Sequence, residues 1–308
     1  MTPRGTRQML WRGGRGLRAA AGAGLLLAQS TALIAGAPIT RSPDPILGCA
    51  DSFAVLSAAG VSNKGRTYIY GNLGIESSAA ITGFPPGAVF EGSIYSGGPV
   101  VREAQRDAFA AYDRLMRLPS FAIGSAVEGE LGGLRLTPGV YALGTSARLS
   151  GNLLLDARDE DHAVFVFQIG TNLTTGRDAA VVLVNQGRGD AVYWQVGGSV
   201  KLGRNTSFTG NILAHKDIVM ETGASMRCGR AFTRTGAVTM DRNYIFSECE
   251  PPEIAVGLTE GPGGFNRFAP PPEPGTVGSS PEPGTFWLAA VCFAALIAVR
   301  FHRLRHPR

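Results

Sequence analysis

Short apolar segments separated by Gly and Asn constrain the fold of this chain more than any other feature. The pattern apolar-x-Gly-Asn-apolar occurs at Ile69–Leu73, Leu149–Leu153 and Phe208–Ile212. The chain contains 42 Gly in 308 residues, and Gly tolerates the positive φ angles of tight turns. We therefore expect many short strands joined by tight turns, and this composition excludes a helical bundle.

The strand segments resemble one another but do not recur at a constant period. Thr222–Ser225 and Thr235–Val238 share the pattern Thr-Gly-Ala, whereas other turns differ in length and sequence. Such units are typical of an irregular β-solenoid, in which stacked coils bury apolar residues. The alternative is a β-sandwich, which would show steadier spacing and Asn-Gly or Asp-Gly hairpins. Neither dipeptide occurs, so we predict a mainly β fold of the solenoid type.

One segment, Val101–Leu118, has the periodicity of an amphipathic helix. Pro99 stands just before it and Pro119 ends it. Its apolar positions follow the i, i+3, i+4 rule at Val101, Ala104, Ala108, Tyr112 and Leu115. We predict one long helix that lies flat against the β domain.

The net charge of +5 comes from the ends of the chain. Residues 1–37 and 300–308 hold nine of the 29 basic residues and none of the 24 acidic ones. The other 20 basic residues are outnumbered by the acidic residues around them, so the middle of the chain would be repelled by a phosphate backbone. We therefore exclude nucleic acid as a partner.

Both basic ends adjoin apolar segments. Residues 1–37 combine arginines, an Ala- and Leu-rich run and a small-residue end, as a secretory signal peptide does. An uncleaved anchor is the alternative reading of that segment. Residues 285–299 form an apolar run long enough for a marginal transmembrane helix, and the basic residues 300–308 would then lie in the cytoplasm.

Residues 251–284 are rich in Pro and Gly, which predicts an extended stalk after a folded domain at 38–250. The stalk ends with Pro281, Glu282 and Pro283, just ahead of the apolar helix and its Arg-rich tail. This order resembles the PEP-CTERM sorting signal of Gram-negative bacteria. The resemblance implies an exosortase-type sorting enzyme as a partner, and an exported protein that is membrane-anchored before its tail is processed. The expected location is the cell surface or the extracellular space.

The sequence offers no constellation of catalytic residues. The domain has two histidines, His162 and His215, and it contains no G-x-S-x-G, Walker or H-E-x-x-H motif. The acidic residues before His162 lack the spacing of a calcium loop, so we predict neither a metal nor a cofactor. An enzyme acting on extracellular glycan would need paired carboxylates in a cleft, which a convex solenoid seldom provides. We therefore expect no catalysis.

Over about 200 residues the chain resembles the microbial ice-binding-like family. The similarity lies in Asp51–Leu56, Gly71–Ile75, Ile81–Gly87, Leu136–Tyr141, Ala163–Gly170, Tyr193–Gly197, Gly210–Ala214, Cys228–Ala231 and Gly236–Asp241. It implies a right-handed, roughly triangular β-solenoid with discontinuous coils and the helix packed alongside. It also implies a non-catalytic, antifreeze-type protein that adsorbs to ice through a flat face.

A flat solenoid face can order water because stacked strands repeat at about 4.8 Å and residues on one face of a strand at about 6.6 Å. The resemblance makes these threonines candidate ice-binding residues: Thr174, Thr206, Thr209, Thr222, Thr235 and Thr239. Ordinary β propensity accounts for each of them equally well.

Where family members commonly carry Thr, this chain has charged residues, among them Lys201, Arg204, Glu221 and Arg242. Charged side chains would disturb an ice-like water layer. The alternative function is therefore a cell-surface or extracellular-matrix adhesion protein that binds polysaccharide on the same scaffold.

The four cysteines of an exported chain raise the question of a disulfide. The family resemblance implies a bond between Cys228 and Cys249, which would fasten the last coil where the stalk begins. Pairing of Cys49 with Cys249 is the alternative, and Cys292 belongs to the apolar tail.

Overall fold

The computed structural model describes residues 46–76, 78–122, 129–187, 189 and 191–249. The predicted signal peptide, stalk, Pro281-Glu282-Pro283 motif, apolar helix and basic tail lie outside these ranges. Among the helices of the described ranges, none combines the length and apolar character that a membrane crossing requires.

The described ranges form short strands, one α-helix and one 3-10 helix. The helices are η1 (Gly48–Ser52) and α1 (Pro99–Met116). In chain order the strands are β1 (Phe53–Ser57), β2 (Gly60–Lys64), β3 (Tyr68–Tyr70), β4 (Asn72–Ile75), β5 (Ala80–Thr82), β6 (Ala88–Phe90), β7 (Ile94–Ser96), β8 (Phe121–Ala122), β9 (Arg135–Leu136), β10 (Gly139–Leu143), β11 (Ala147–Leu149), β12 (Asn152–Asp156), β13 (Val164–Ile169), β14 (Leu173–Thr175), β15 (Ala180–Val184), β16 (Ala191–Val196), β17 (Val200–Leu202), β18 (Ser207–Thr209), β19 (Asn211–Ala214), β20 (Ile218–Met220), β21 (Ser225–Arg227), β22 (Ala231–Thr233), β23 (Val238–Asp241) and β24 (Tyr244–Phe246).

The strands build three parallel sheets, and each complete coil of the chain passes through all three. Sheet A has the order β7-β4-β1-β22-β19-β16-β13-β10-β8. Sheet B has the order β11-β14-β17-β20-β23-β2-β5, and sheet C has the order β6-β3-β24-β21-β18-β15-β12-β9. Parallel pairing throughout these sheets is incompatible with the β-sandwich alternative, whose strands are antiparallel.

The order of coils in space differs from their order in the sequence. β1 lies between β4 and β22, so the first coil packs against the last one. α1 then connects β7, at one end of sheet A, with β8 at the other. The 18 residues of α1 span about 27 Å at 1.5 Å per residue, which covers most of this sheet.

The observed helix lies two residues earlier than the predicted Val101–Leu118. Pro99 occupies its first turn, where the missing N–H leaves no hydrogen bond unmade. At the other end, the N–H of Arg117 bonds to the carbonyls of Arg114 and Leu115. All five apolar positions predicted from the periodicity are buried.

Two apolar clusters hold the domain together. Inside the coils, aromatic rings stack along the axis, with 3.9 Å between the ring centroids of Phe167 and Trp194. Outside sheet A, residues such as Phe53 and Tyr193 pack against the buried face of α1. Because α1 covers much of sheet A, sheets B and C are the sides of the domain that face solvent.

An ion pair secures the junction between the first and last coils, and a disulfide joins the two ends of the last coil. The guanidinium of Arg230 is almost fully buried and lies 2.6 Å from Asp51 Oδ1. Arg230 also donates to the backbone carbonyl of Asp51 and to Asn211 Oδ1. The structure pairs Cys228 with Cys249, and Cys49 is not part of this bond.

Candidate functional site

Sheet B presents one straight row of outward side chains. Its strands are short, and their outer residues alternate with buried ones such as Val61, Ile218 and Val238. In spatial order the outer central row is Arg148, Thr174, Lys201, Val219, Thr239, Ser62 and Thr82. The parallel register places these residues at intervals of about 4.8 Å.

Four adjacent positions of this row carry no charge. They are Val219, Thr239, Ser62 and Thr82, and a second row beside them contains only Ala237, Gly60 and Ala80 from the three coils that carry Thr239, Ser62 and Thr82. We call these seven residues the small-residue patch. Ser62 Oγ lies 3.4 Å from Thr239 Oγ1, to which it donates a hydrogen bond, so the two coils also contact through their side chains.

The patch combines methyl groups and hydroxyls on a rigid support. Its strands pair in register, and Val61, Ile218 and Val238 beneath it are completely or almost completely buried. Hydroxyls can hydrogen-bond to water, while methyl groups leave water to bond with itself. Such a surface can hold a regular layer of water but has no group suited to covalent chemistry.

Charged residues border the patch, and several are paired. Lys201 Nζ lies 2.8 Å from Glu221 Oε1, and the hydrogen bond from Lys201 lowers the pKa of Glu221. Asp241 accepts a hydrogen bond from Thr222, which lowers the pKa of Asp241. Lys201 therefore ends the uncharged part of the central row, and Asp241 lies at the sheet C end of the strand that carries Thr239.

The six threonines proposed from the sequence do not form one surface. Thr174 and Thr239 lie on the central row, separated by Lys201 and Val219. The prediction is wrong for Thr206, which is fully buried and bonds to Thr175 Oγ1 across 2.7 Å, so it cannot touch ice.

The other three threonines lie on other parts of the molecule. Thr209 is on sheet C and donates to the carbonyl of Val181. Thr222 lies in the turn between sheets B and C, and Thr235 lies in the turn between sheets A and B, where it donates to the carbonyl of His215. Of the six candidate threonines, two therefore lie on the central row of sheet B.

Sequence reasoning missed Val219, Ser62 and Thr82. Val219 lies between Ile218 and Met220, whereas Ser62 and Thr82 each follow one apolar residue, so the local alternation is a weak signal. The first and last coils become neighbours only through the discontinuous stacking, which no local pattern reveals.

Sheet C offers a different surface in the coils that carry the patch. Five aromatic residues form a ladder along this sheet, namely Tyr68, Tyr70, Phe90, Tyr244 and Phe246, and two of them, Tyr68 and Phe246, are buried. The rings of Tyr70 and Phe246 stack with centroids 4.7 Å apart. Burial raises the pKa of Tyr70 and of Tyr244 above the ordinary value for a phenol. These rings are large, so they do not form a surface of small, regularly spaced groups like the patch on sheet B.

An acidic residue and a histidine of the domain make contacts that stabilise the fold. Asp156 accepts hydrogen bonds from Arg135, Asn185 and the backbone N–H of Arg158, which lower its pKa to about 2. His215 lies beside Tyr112, with 6.3 Å between ring centroids. Over the described ranges, no group of three His, Cys, Asp or Glu residues is arranged to hold a metal ion.

Comparison with known proteins identifies the class to which this fold and surface belong. The profile of the Ice-binding-like family matches residues 55–246, and the chain belongs to this family. An ice-binding protein of Nostoc sp. (strain HG1) is 43% identical over 216 residues, which cover 68% of this chain and 78% of the relative.

Solved structures agree with this assignment. An ice-binding protein from an Antarctic biological consortium is 36% identical, with a TM-score of 0.60 and coverage of 68% of this chain and 95% of the other. An ice-binding protein from the Antarctic ascomycete Antarctomyces psychrotrophicus has the same TM-score at 32% identity, covering 65% of this chain and 96% of the other.

Proposed function

We propose that this protein adsorbs to ice, without catalysis, through the small-residue patch of sheet B. The observation that carries the proposal is the run of four uncharged residues at strand spacing on one flat sheet. Membership of the Ice-binding-like family and the names of the relatives support the same function.

Adsorption depends on surface fit. The strands that carry Thr239, Ser62 and Thr82 are spaced about 4.8 Å apart, and their hydroxyls can bond to water, while the methyl groups of the patch border the same water. Because the backbone of every strand is paired on both sides or anchored by the core, these groups need little ordering when they meet a crystal. A long charged side chain on the patch would hold its own hydration shell and displace the ordered layer.

The test is ice-affinity partitioning of the purified domain, residues 38–250, with two lysine substitutions. Thr239→Lys places a charge in the middle of the patch, and Ser207→Lys places the same charge at an exposed position on sheet C. We expect Thr239→Lys to abolish partitioning and Ser207→Lys to retain it. Equal partitioning of both variants would exclude the patch as the adsorbing surface.

We also propose that the protein is exported and held at the cell surface before its tail is processed. The basis is the predicted signal peptide, apolar helix and Pro281-Glu282-Pro283 motif, the last recognised by an exosortase-type enzyme. Cys228 and Cys249 lie where the chain passes from sheet C towards sheet A, which is the edge that sheet B does not touch. A stalk that starts there would leave the patch uncovered.

Cell fractionation of the native host tests this location. We expect the protein in the outer or extracellular fraction, with a smaller mass than the full chain if the tail is cleaved. Replacing Pro281, Glu282 and Pro283 with Ala should retain the unprocessed tail, and a cytoplasmic protein would contradict the proposal.

A further inference from the structure

The turns between sheets B and C carry a second exposed feature, a column of basic side chains. We call Arg177, Arg204, Arg242 and Lys64 the basic edge. All four are exposed, with 67% of the Arg177 side chain and 61% of the Arg242 side chain accessible.

The backbone holds these turns in register. The N–H of Asp178 donates to the carbonyl of Arg204 at 2.9 Å, and the N–H of Asn205 donates to the carbonyl of Thr222 at 3.1 Å. Further along, the N–H of Arg242 donates to the carbonyl of Lys64 at 3.1 Å. The basic edge therefore runs straight over five coils, a length of about 19 Å.

Positive charge exceeds negative charge along this line. Arg177 Nε lies 3.6 Å from Asp178, and Arg242 Nε lies 3.2 Å from Asp241. Within the described part of the chain, Arg204 and Lys64 form no ion pair. Glu221, in the middle coil, is held by Lys201. The edge thus contains three carboxylates, each paired with a cation, beside Arg204 and Lys64.

We propose that the basic edge binds an acidic polysaccharide, a linear polymer whose sugars carry carboxylates. Guanidinium groups recognise carboxylates through paired N–H donors, and Arg177 and Arg242 already contact carboxylates of the chain itself. A straight, convex line of cations suits an extended polymer rather than a small molecule, which would need a cavity. The net negative charge of the middle of the chain disfavours the denser phosphate backbone of a nucleic acid.

This inference does not depend on ice adsorption, because the basic edge and the small-residue patch use different side chains. It assigns a role to charged residues that would otherwise only disturb a water-ordering face. One molecule would then contact ice with sheet B and matrix polymer with the adjoining edge.

The test measures binding of polygalacturonate by the full chain, solubilised in a non-ionic detergent, at low and high salt. The edge variant is Arg177→Gln/Arg204→Gln/Arg242→Gln. The matched control is Arg102→Gln/Arg106→Gln/Arg117→Gln, which removes the same charge from exposed positions at α1. Neutral dextran and duplex DNA serve as comparison polymers, and ice-affinity partitioning is measured on the same samples.

We expect the edge variant to bind polygalacturonate about tenfold more weakly, because the edge loses three positive charges and Asp178 and Asp241 lose their partners. The control should change affinity by less than about twofold, and salt above about 0.3 M should weaken binding by the native chain. Ice partitioning of the edge variant should persist. Absence of binding at low salt, an equal loss in both variants, or tighter binding of duplex DNA would each overturn the proposal.

Discussion

Arg230 shows how a single side chain joins segments that are far apart in the sequence. Its guanidinium contacts Asp51 before the first coil and Asn211 in a neighbouring coil. The group is nearly inaccessible, so these partners replace the hydration that its charge loses on burial. The charge pair also sets which coil the first one docks against.

Removing this guanidinium should strongly destabilise the fold. We expect Arg230→Met to lower the free energy of unfolding by about 3 kcal/mol, because Asp51 is left without its partner in a largely buried site. Urea unfolding monitored by tryptophan fluorescence provides the measurement. Arg242→Met, at an exposed position, should change stability by less than about 0.5 kcal/mol. Similar effects of both substitutions would contradict this role.

Asp156 makes stability depend on pH in the acid range. Its pKa is lowered from 3.8 to about 2, first by the hydrogen bond from Arg135. The stabilisation is therefore complete above pH 3.8 and is lost as the pH falls through about 2.

Urea unfolding between pH 5 and pH 2 should show a steeper loss of stability for the native chain than for Asp156→Asn. Asp159→Asn, in the same turn, is the control and should keep the native slope. Parallel curves for the native chain and Asp156→Asn would show that this carboxylate does not contribute.

Lys201 limits the length of the small-residue patch. It separates Thr174 from Val219, and its ammonium is held by Glu221. We expect Lys201→Thr/Glu221→Gln to increase ice partitioning, because six adjacent central positions would then be uncharged. Glu221→Gln alone is the control and should bring no gain. A double variant that partitions no better than the native chain would show that Lys201 does not limit adsorption to ice.

At the scale of elements, α1 and its contact with sheet A determine which sides of the domain face solvent. Leu115 is fully buried in this contact, whereas Met116 on the other face is 49% exposed. The amphipathic pattern of the helix thus decides that sheet A is packed and unavailable to a ligand.

Shortening the side chain of Leu115 should measure how strongly α1 is held against sheet A. We expect Leu115→Ala to cost about 3 kcal/mol of unfolding free energy, and Met116→Ala to cost less than about 0.5 kcal/mol. Thermal or urea unfolding provides the measurement. Ice partitioning by the folded fraction should be equal in both, since neither residue lies on sheet B.

Several elements were predictable from the sequence because their signals are local. The periodicity located α1 to within two residues, and the Gly-Asn pattern at Leu149–Leu153 falls at the turn between the strands Ala147–Leu149 and Asn152–Asp156. The pairing of strands was not predictable, because Val61 meets Val238 across the junction of the first and last coils. Register is a property of the stack, and the candidate surface depends on it.

At the scale of the whole domain, the three sides of the stack differ in what they present to solvent. Sheet A is covered by α1, sheet B carries the small-residue patch, and sheet C carries the aromatic ladder. The basic edge separates sheets B and C, and the Cys228–Cys249 bond lies on the edge away from sheet B. The family resemblance indicated a flat face, but only the fold shows that Thr82 and Thr239 share it.

The most direct test of the central claim uses two residues that only the fold brings onto one surface. Ice-affinity partitioning is measured for Thr82→Lys, for Thr239→Lys and for the double variant. We expect each single substitution to abolish most of the adsorption and the double variant to lose little more, because one continuous surface fails in each case. Full adsorption by Thr82→Lys beside complete loss in Thr239→Lys would contradict the account.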